Sequence, residues 1–326
     1  MPDIKEESEF LSGRDESPEG AEVDNHGAAC RADDNRQGAP SLVSAPVASA
    51  SRAPLPAHSC LPINRCNLPA SVLAGLTFQK HPAALEIDGV AVFHRDLFRR
   101  LDLLDAAPAR AAAFRDYMSV RFCLEQLDEA GLTEAASSRA KANWLRLLRG
   151  WSFNADSREG AALKGWVESR FGLLPRFHGE RLRDPSSPAS MRYQEMRAQA
   201  LYGANALEAQ LDLVYAYCQY EFRRRAEDEA GRRGTASCLL YRGVNRLAEH
   251  EVLQSLPGGH QIVWLNSLCS FSRSRERAGE FGDHILCARV PQAKIFVHSA
   301  LLPGALQGED ECVVIGGAYA VTQSTF

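Results

Sequence analysis

Gly231-Arg232-Arg233-Gly234-Thr235-Ala236-Ser237-Cys238-Leu239-Leu240-Tyr241-Arg242-Gly243 is the stretch at which the chain changes its period. Two glycines bracket two arginines, and the residues beyond read as a short strand, Ser237–Tyr241, closed by an arginine and a glycine. The same pattern continues downstream. Gln261–Leu265, Ile285–Val290, Lys294–His298 and Cys312–Ile315 are brief runs rich in β-branched or aromatic residues, separated by Gly, Pro, Asn and Ser. Upstream the period is helical. Phe93, Leu97, Leu101 and Leu104 form one stripe; Phe114, Met118, Phe122 and Gln126 a second; Trp144, Leu147, Leu148 and Trp151 a third. The longest helix expected runs from about Pro188 to Asp228, with Leu207, Leu211, Val214 and Cys218 on one face. These stripes are read as core packing and carry no chemistry. Helices first and strands afterwards predict an α+β fold, a helical N-terminal half followed by a strand-rich, mixed β core.

Further from this switch the composition changes again. Residues 1–60 hold only nine Val, Ile, Leu, Met, Phe, Trp or Tyr side chains and six prolines. Such a segment has little to bury against its ordering entropy, so residues 1–62 are expected to be a disordered acidic, Ala/Pro-rich tail. Residues 63–326 then form a single domain, mainly helical over 63–230 and β-rich over 231–326. Residues 1–34 carry eleven acidic and three basic side chains, a charge of −8, so the body holds +4 of the overall −4. That excess suits an anionic ligand and is too small to argue for nucleic acid. Nine cysteines lie scattered without a CxxC pair, which fits reduced thiols in a cytoplasm better than a disulfide framework. No HxxxH or HExxH spacing supports a metal site. Neither a membrane span nor a secretory leader is legible, and the expected location is cytoplasmic.

Three separated pieces of the strand-rich half can carry chemistry. Arg242, at a strand end before Gly243, can offer a planar fork of donors to a pyrophosphate while the glycine lets backbone approach a ligand. Ser270-Phe271-Ser272 follows the strand Gln261–Leu265 and an expected turn at Asn266-Ser267; two hydroxyls two apart in extended chain point the same way. Glu309-Asp310-Glu311 enters an apolar strand that ends in a Gly-Gly turn, and an extended backbone would put both glutamates on one face. Each piece alone also fits a bland role: a salt-bridge arginine, a polar strand edge, a solvated charge run.

The order Arg…Ser-x-Ser…Glu-x-Glu resembles the signature of the arginine-specific mono-ADP-ribosyltransferase superfamily. Glu280-Phe281-Gly282 before the strand Ile285–Val290, and Pro291 at that strand's end, fit as well. Asn67–Val90, Leu145–His178 with Lys164-Gly165-Trp166-Val167-Glu168, and Tyr241–Tyr319 are similar to the dinitrogenase reductase ADP-ribosyltransferase family. The likeness runs over roughly residues 66–322.

This resemblance implies a β core of the ADP-ribosyltransferase type and NAD as co-substrate. Arg242, Gly243, Ser270, Ser272, Phe281 and Glu311 would bind NAD; Arg242, Ser270, Glu309 and Glu311 would be catalytic. Arg242 would hold the phosphates and Gly243 the nicotinamide amide. Ser270 would fix Glu311, which would bond the ribose 2′-hydroxyl and favour the cationic centre left as nicotinamide departs. Glu309 would orient an acceptor arginine and take its proton. The resemblance further implies dinitrogenase reductase, the nitrogenase iron protein, as protein substrate and a PII-type signalling protein as regulator. Arg273–Gly279 is similar to a flexible loop over the cofactor, and Phe271 replaces a common threonine. Part of the helical half is expected to recognise the target, so that removing Phe93–Arg149 would abolish modification while leaving NAD binding, if the protein still folds. A toxin-type transferase with another target, and a non-catalytic NAD-binding module, remain the alternatives.

Overall fold

The computed structural model describes residues 55–56, 59–124, 143–202, 206–228, 237–245, 250–306, 308 and 310–325. Most of the expected tail, Gln126 and Glu309 lie outside the described residues. The chain joins the body upstream of the expected start at 63: Cys60 pairs with Leu173, and Leu61 N–H donates to the Gly172 carbonyl at 2.7 Å.

The helical part comprises α1 (Ala70–Leu73), α2 (Leu76–Lys80), α3 (Val90–Phe93), α4 (Arg95–Asp102), α5 (Ala107–Phe122), α6 (Trp144–Phe153), α7 (Arg158–Phe171), α8 (Pro188–Leu201) and α9 (Leu207–Asp228). A small antiparallel pair, β1 (Arg176–Phe177) and β2 (Glu180–Arg181), separates α7 from α8. Short polar side chains set several helix starts by accepting an otherwise unpaired N–H. Asn143 accepts from Arg146 N at the start of α6, Ser157 from Gly160 N at α7, and Ser187 from Ser190 N at α8.

The expected stripes bury Leu97, Leu101, Phe114, Met118, Phe122, Trp144, Leu147, Leu148 and Trp151 in one core with Leu207, Leu211, Val214 and Cys218 of α9. Two expectations fail. Phe93 is exposed, because His94 leaves helical geometry (φ −112°, ψ 23°) and splits α3 from α4, so Phe93 falls out of phase with Leu97. The long helix over Pro188–Asp228 is two helices, since Tyr202 is already extended (φ −63°, ψ 119°) after Leu201. Leu97, Leu101, Phe114, Met118, Phe122, Trp144, Leu147 and Leu148 place much of the segment Phe93–Arg149 in the common core.

The strand part contains β3 (Ser237–Val244), β4 (Glu251–Ser255), β5 (His260–Ser272), β6 (His284–Pro291), β7 (Ile295–His298) and β8 (Glu311–Thr325), with α10 (Arg275–Gly279) between β5 and β6. The sheet order is β4-β5-β3-β6-β8-β7, and β5 also pairs with β8, so β3, β5, β8 and β6 close a circuit. Every pairing between these strands is antiparallel. The core was expected to be mixed; the α+β layout holds while the sheet is antiparallel.

The expected turns at Asn266-Ser267 and Gly316-Gly317 are absent as turns. Strand β5 runs through Asn266-Ser267 as a bulge, with register shifting between Leu265 and Leu268 against β8. Opposite it, a Cβ on Gly316 would collide with the Asn266 carbonyl, so only glycine lets the two backbones pass. Gly317 (φ 117°) instead passes close to the backbone of Ala74. Among the described residues no helix is long and apolar enough to cross a membrane.

Candidate active site

The long antiparallel pair β5–β8 brings two of the three pieces together. Ser272 faces Glu311 in register, and Ser270 faces Val313. The Ser270 hydroxyl donates to Glu311 Oε1 at 2.9 Å. The third piece arrives from β3, whose Tyr241 pairs with Ser272. Arg242 Nη1 donates to the Ser270 carbonyl at 2.6 Å, which ties the guanidinium to the backbone of the serine that holds the carboxylate. Arg242, Ser270 and Glu311, far apart in sequence, thus form one connected unit.

The remaining valences show what this unit can bind. Arg242 Nε is buried with no hydrogen-bond partner among the described residues. Such an edge costs free energy unless an acceptor fills it, and a phosphate oxygen would do so with charge assistance. Arg115 and Arg224 also carry a buried, unpartnered Nε, so the vacancy gains meaning from its place beside Ser270 and Glu311. His250 adds to the electrostatics. Burial, reinforced by the charges of Arg242 and Arg176, pushes its imidazole down to about 4, so it is neutral at pH 7. Its Nε2 is likewise buried without a partner.

The backbone of Glu311 is also held. Ser299 N–H donates to the Glu311 carbonyl at 2.9 Å, and Arg273 N–H to the Asp310 carbonyl at 3.1 Å. Asp310 lies in the left-handed region (φ 58°), which breaks the strand alternation just before β8. The expectation that Glu309 and Glu311 share a face through extended backbone therefore loses its premise. Glu309 itself falls outside the described residues.

Other expected residues take different positions. Gly243 meets protein backbone: a Cβ there would collide with the Ala278 carbonyl, so the glycine permits α10 to pack on β3. The Ser272 hydroxyl accepts from Ser274 N–H at 3.0 Å and turns the chain toward α10; it makes no contact with Glu311 comparable to that of Ser270. Phe281 is 72% exposed, on the turn after α10. The segment expected as a flexible loop over Arg273–Gly279 contains α10, started by the Ser274 hydroxyl accepting from Arg277 N–H. Arg275 is committed to the C-terminal strand, donating to Ser324 Oγ and the Thr325 carbonyl.

The sequence reading missed what the helical half contributes. Trp151 Nε1 donates to Ser270 Oγ at 2.8 Å, and Ser152 Oγ lies 3.3 Å from Glu311 Oε2. Trp151 was assigned only to a core stripe, and a buried tryptophan in an amphipathic pattern gives no separate signal for the partner of its N–H.

With this geometry established, comparisons with known proteins are informative. A family model described as dinitrogenase reductase ADP-ribosyltransferase matches residues 63–323. The chain is 39% identical over 264 residues to a Rhodospirillum rubrum protein named NAD(+)--dinitrogen-reductase ADP-D-ribosyltransferase. That match covers 80% of this chain and 94% of the relative. No solved structure matches the chain.

Proposed function

The chain belongs to the dinitrogenase reductase ADP-ribosyltransferase family, and from that premise we propose that it is an NAD-dependent transferase that moves ADP-ribose onto an arginine of dinitrogenase reductase, releasing nicotinamide. The observation that carries this reading is the convergence of Arg242, Ser270 and Glu311, joined by hydrogen bonds of 2.6 and 2.9 Å. In this reading NAD is a substrate, and the chemistry at its ribose follows from the residues present.

Arg242 binds the pyrophosphate through its unpartnered Nε edge, leaving Nη1 on the Ser270 carbonyl. Glu311 accepts a hydrogen bond from the ribose 2′-hydroxyl and faces the anomeric carbon. As the bond from that carbon to the nicotinamide nitrogen breaks, its electron pair leaves with nicotinamide and positive charge develops on the ribose. A fixed carboxylate nearby stabilises that charge more than it stabilises the ground state. The acceptor guanidinium nitrogen then forms the new bond to the same carbon and loses a proton.

A free guanidinium is almost always protonated, so the transfer needs a base; we assign that role to Glu309, on the family resemblance. Glu309→Gln is expected to spare most nicotinamide release while abolishing label on the protein acceptor; equal loss of both would remove this role. Gly243, Ser272 and Phe281 remain proposed contacts to NAD, with Phe281 at the rim. Regulation by a PII-type protein rests on the resemblance alone, and a cytoplasmic location on the scattered cysteines and the sequence pattern.

The direct test is incubation with NAD labelled in the adenylate and purified nitrogenase iron protein, followed by mass spectrometry. ADP-ribose on an arginine of the iron protein supports the reading. Nicotinamide release with no modified iron protein would replace the target, and neither event would replace the activity.

A further inference from the structure

The catalytic assignment above draws only on the strand-rich half, yet α6 of the helical half reaches the carboxylate directly. Trp151, near the end of α6, is buried and donates its indole N–H to Ser270 Oγ at 2.8 Å. An indole nitrogen donates and does not accept. A serine hydroxyl has one proton and two lone pairs, and an ionised carboxylate only accepts. With the indole occupying a lone pair of Ser270, the hydroxyl proton has one acceptor at hand, Glu311 Oε1 at 2.9 Å. The chain N–H to O–H to carboxylate can therefore run in one direction only.

We propose that Trp151 is a positioning residue for the transfer reaction: its indole N–H locks the Ser270 hydroxyl as a donor to Glu311 and so fixes the carboxylate that faces the ribose. This rests on the reading of Glu311 as the catalytic carboxylate. The next residue supports the same carboxylate from its other side. Ser152 Oγ lies 3.3 Å from both Glu311 Oε2 and the Leu148 carbonyl, so its single proton is divided between them and it holds less firmly. Two consecutive residues of one helix thus bracket Glu311: Oε1 through Ser270, Oε2 through Ser152. The helix is itself anchored, since Trp144, Leu147 and Leu148 are buried in the common core. A network of this kind strengthens each member by polarising the next.

A buried tryptophan that merely satisfies its own N–H predicts something different, and a double-mutant cycle separates the two. Trp151→Phe keeps an aromatic ring in the core and removes the donor. It is expected to lower kcat for nicotinamide release about fivefold to tenfold with KM for NAD within about twofold, as the loss of one hydrogen bond acting at the reacting centre implies. In a Ser270→Ala background the same substitution should cause no further loss. An unchanged kcat in folded Trp151→Phe, or an equal loss in both backgrounds, overturns the proposal.

A second measurement does not need turnover. The chain has four tryptophans, so a 15N indole spectrum shows few signals, and the one missing in Trp151→Phe, or the one left after the other three are assigned by their own Phe variants, belongs to Trp151. That signal should move in Ser270→Ala and also in Glu311→Gln, where the end of the chain changes. No movement in either overturns the relay. A wild-type chain that releases no nicotinamide would instead overturn the catalytic reading, while the spectrum still decides the contact.

Discussion

Arg170 in the helical half and Arg242 in the strand-rich half are the same residue in opposite states of saturation. Arg170 gives Nε and Nη2 to the two oxygens of Asp212 at 2.7 and 2.9 Å, and Nη1 to Glu208 and Ser169. Arg110 repeats the arrangement with Glu221 and two backbone carbonyls. Arg242 makes one such bond, to a carbonyl, and keeps a buried Nε without a protein partner. A fully paired guanidinium holds elements together; one left open beside a held carboxylate is prepared for a ligand that arrives later. Arg170 and Arg110 are saturated by protein groups, whereas Arg242 keeps an edge open beside Ser270 and Glu311.

This contrast can be broken by substitution. The largest effect expected is on stability, in Asp212→Ala. It leaves Arg170 Nε and Nη2 without Asp212, with Glu208 still on Nη1, and also unpairs the Trp166 indole, which donates to Asp212 at 2.7 Å. Removing one partner of a buried pair costs roughly 3–5 kcal/mol, read as a lower urea midpoint at unchanged slope. Arg242→Ala should do the reverse. Stability falls by only about 1 kcal/mol, the net worth of one hydrogen bond, while kcat/KM for NAD falls roughly 10- to 100-fold. If Arg242→Ala unfolds the chain as Asp212→Ala does, the distinction between the two arginines is lost.

Lys294 sharpens the comparison from a third side, as a buried cation with aromatic faces in place of a carboxylate. Its Nζ lies 4.5 Å from the Tyr319 ring centre and 6.0 Å from that of Phe78. Burial pushes the ammonium down to about 7, with a small opposing contribution from Cys60. Below pH 7 the group is protonated in both the folded and unfolded chain, and folding carries the full cost of burying charge. Between about 7 and the ordinary lysine value the unfolded chain binds more protons, so this residue makes stability rise with pH. The slope is about 1.4 kcal/mol per pH unit at most. Lys294→Met should therefore stabilise most at pH 6–7, with the difference from wild type shrinking by pH 9 in thermal melts. A constant difference across that range would contradict the assignment.

Much of this was legible in the sequence because it rests on pattern. The switch from helical to strand period at Gly231–Gly234 separates the two halves, and the apolar stripes give most of the core. Arg242, Ser270 and Glu311 stand out only together, through the family resemblance of their order, since each alone also fits a bland role. What escaped depends on tertiary context. Asn266-Ser267 has turn composition, yet pairing with β8 carries it through a strand as a bulge. Strand β4 has little apolar alternation, since it lies at the sheet edge and pairs with β5 alone. The left-handed Asp310 is invisible in a run of three acids. The close approach of the Ala278 carbonyl to Gly243 is likewise invisible in the sequence. The role of Trp151 could not be read from its spacing, because helical periodicity buries a ring without saying what its N–H meets.

The most direct test of the account is nicotinamide release from NAD by Glu311→Gln beside the wild-type chain, with melting temperatures for both. Glutamine keeps the size and the ability to accept from Ser270 while removing the charge. The account predicts a folded protein whose release rate is down by roughly 10²–10³-fold, the magnitude associated with losing one preorganised electrostatic contact at a transition state. A folded Glu311→Gln that releases nicotinamide at the wild-type rate would contradict it.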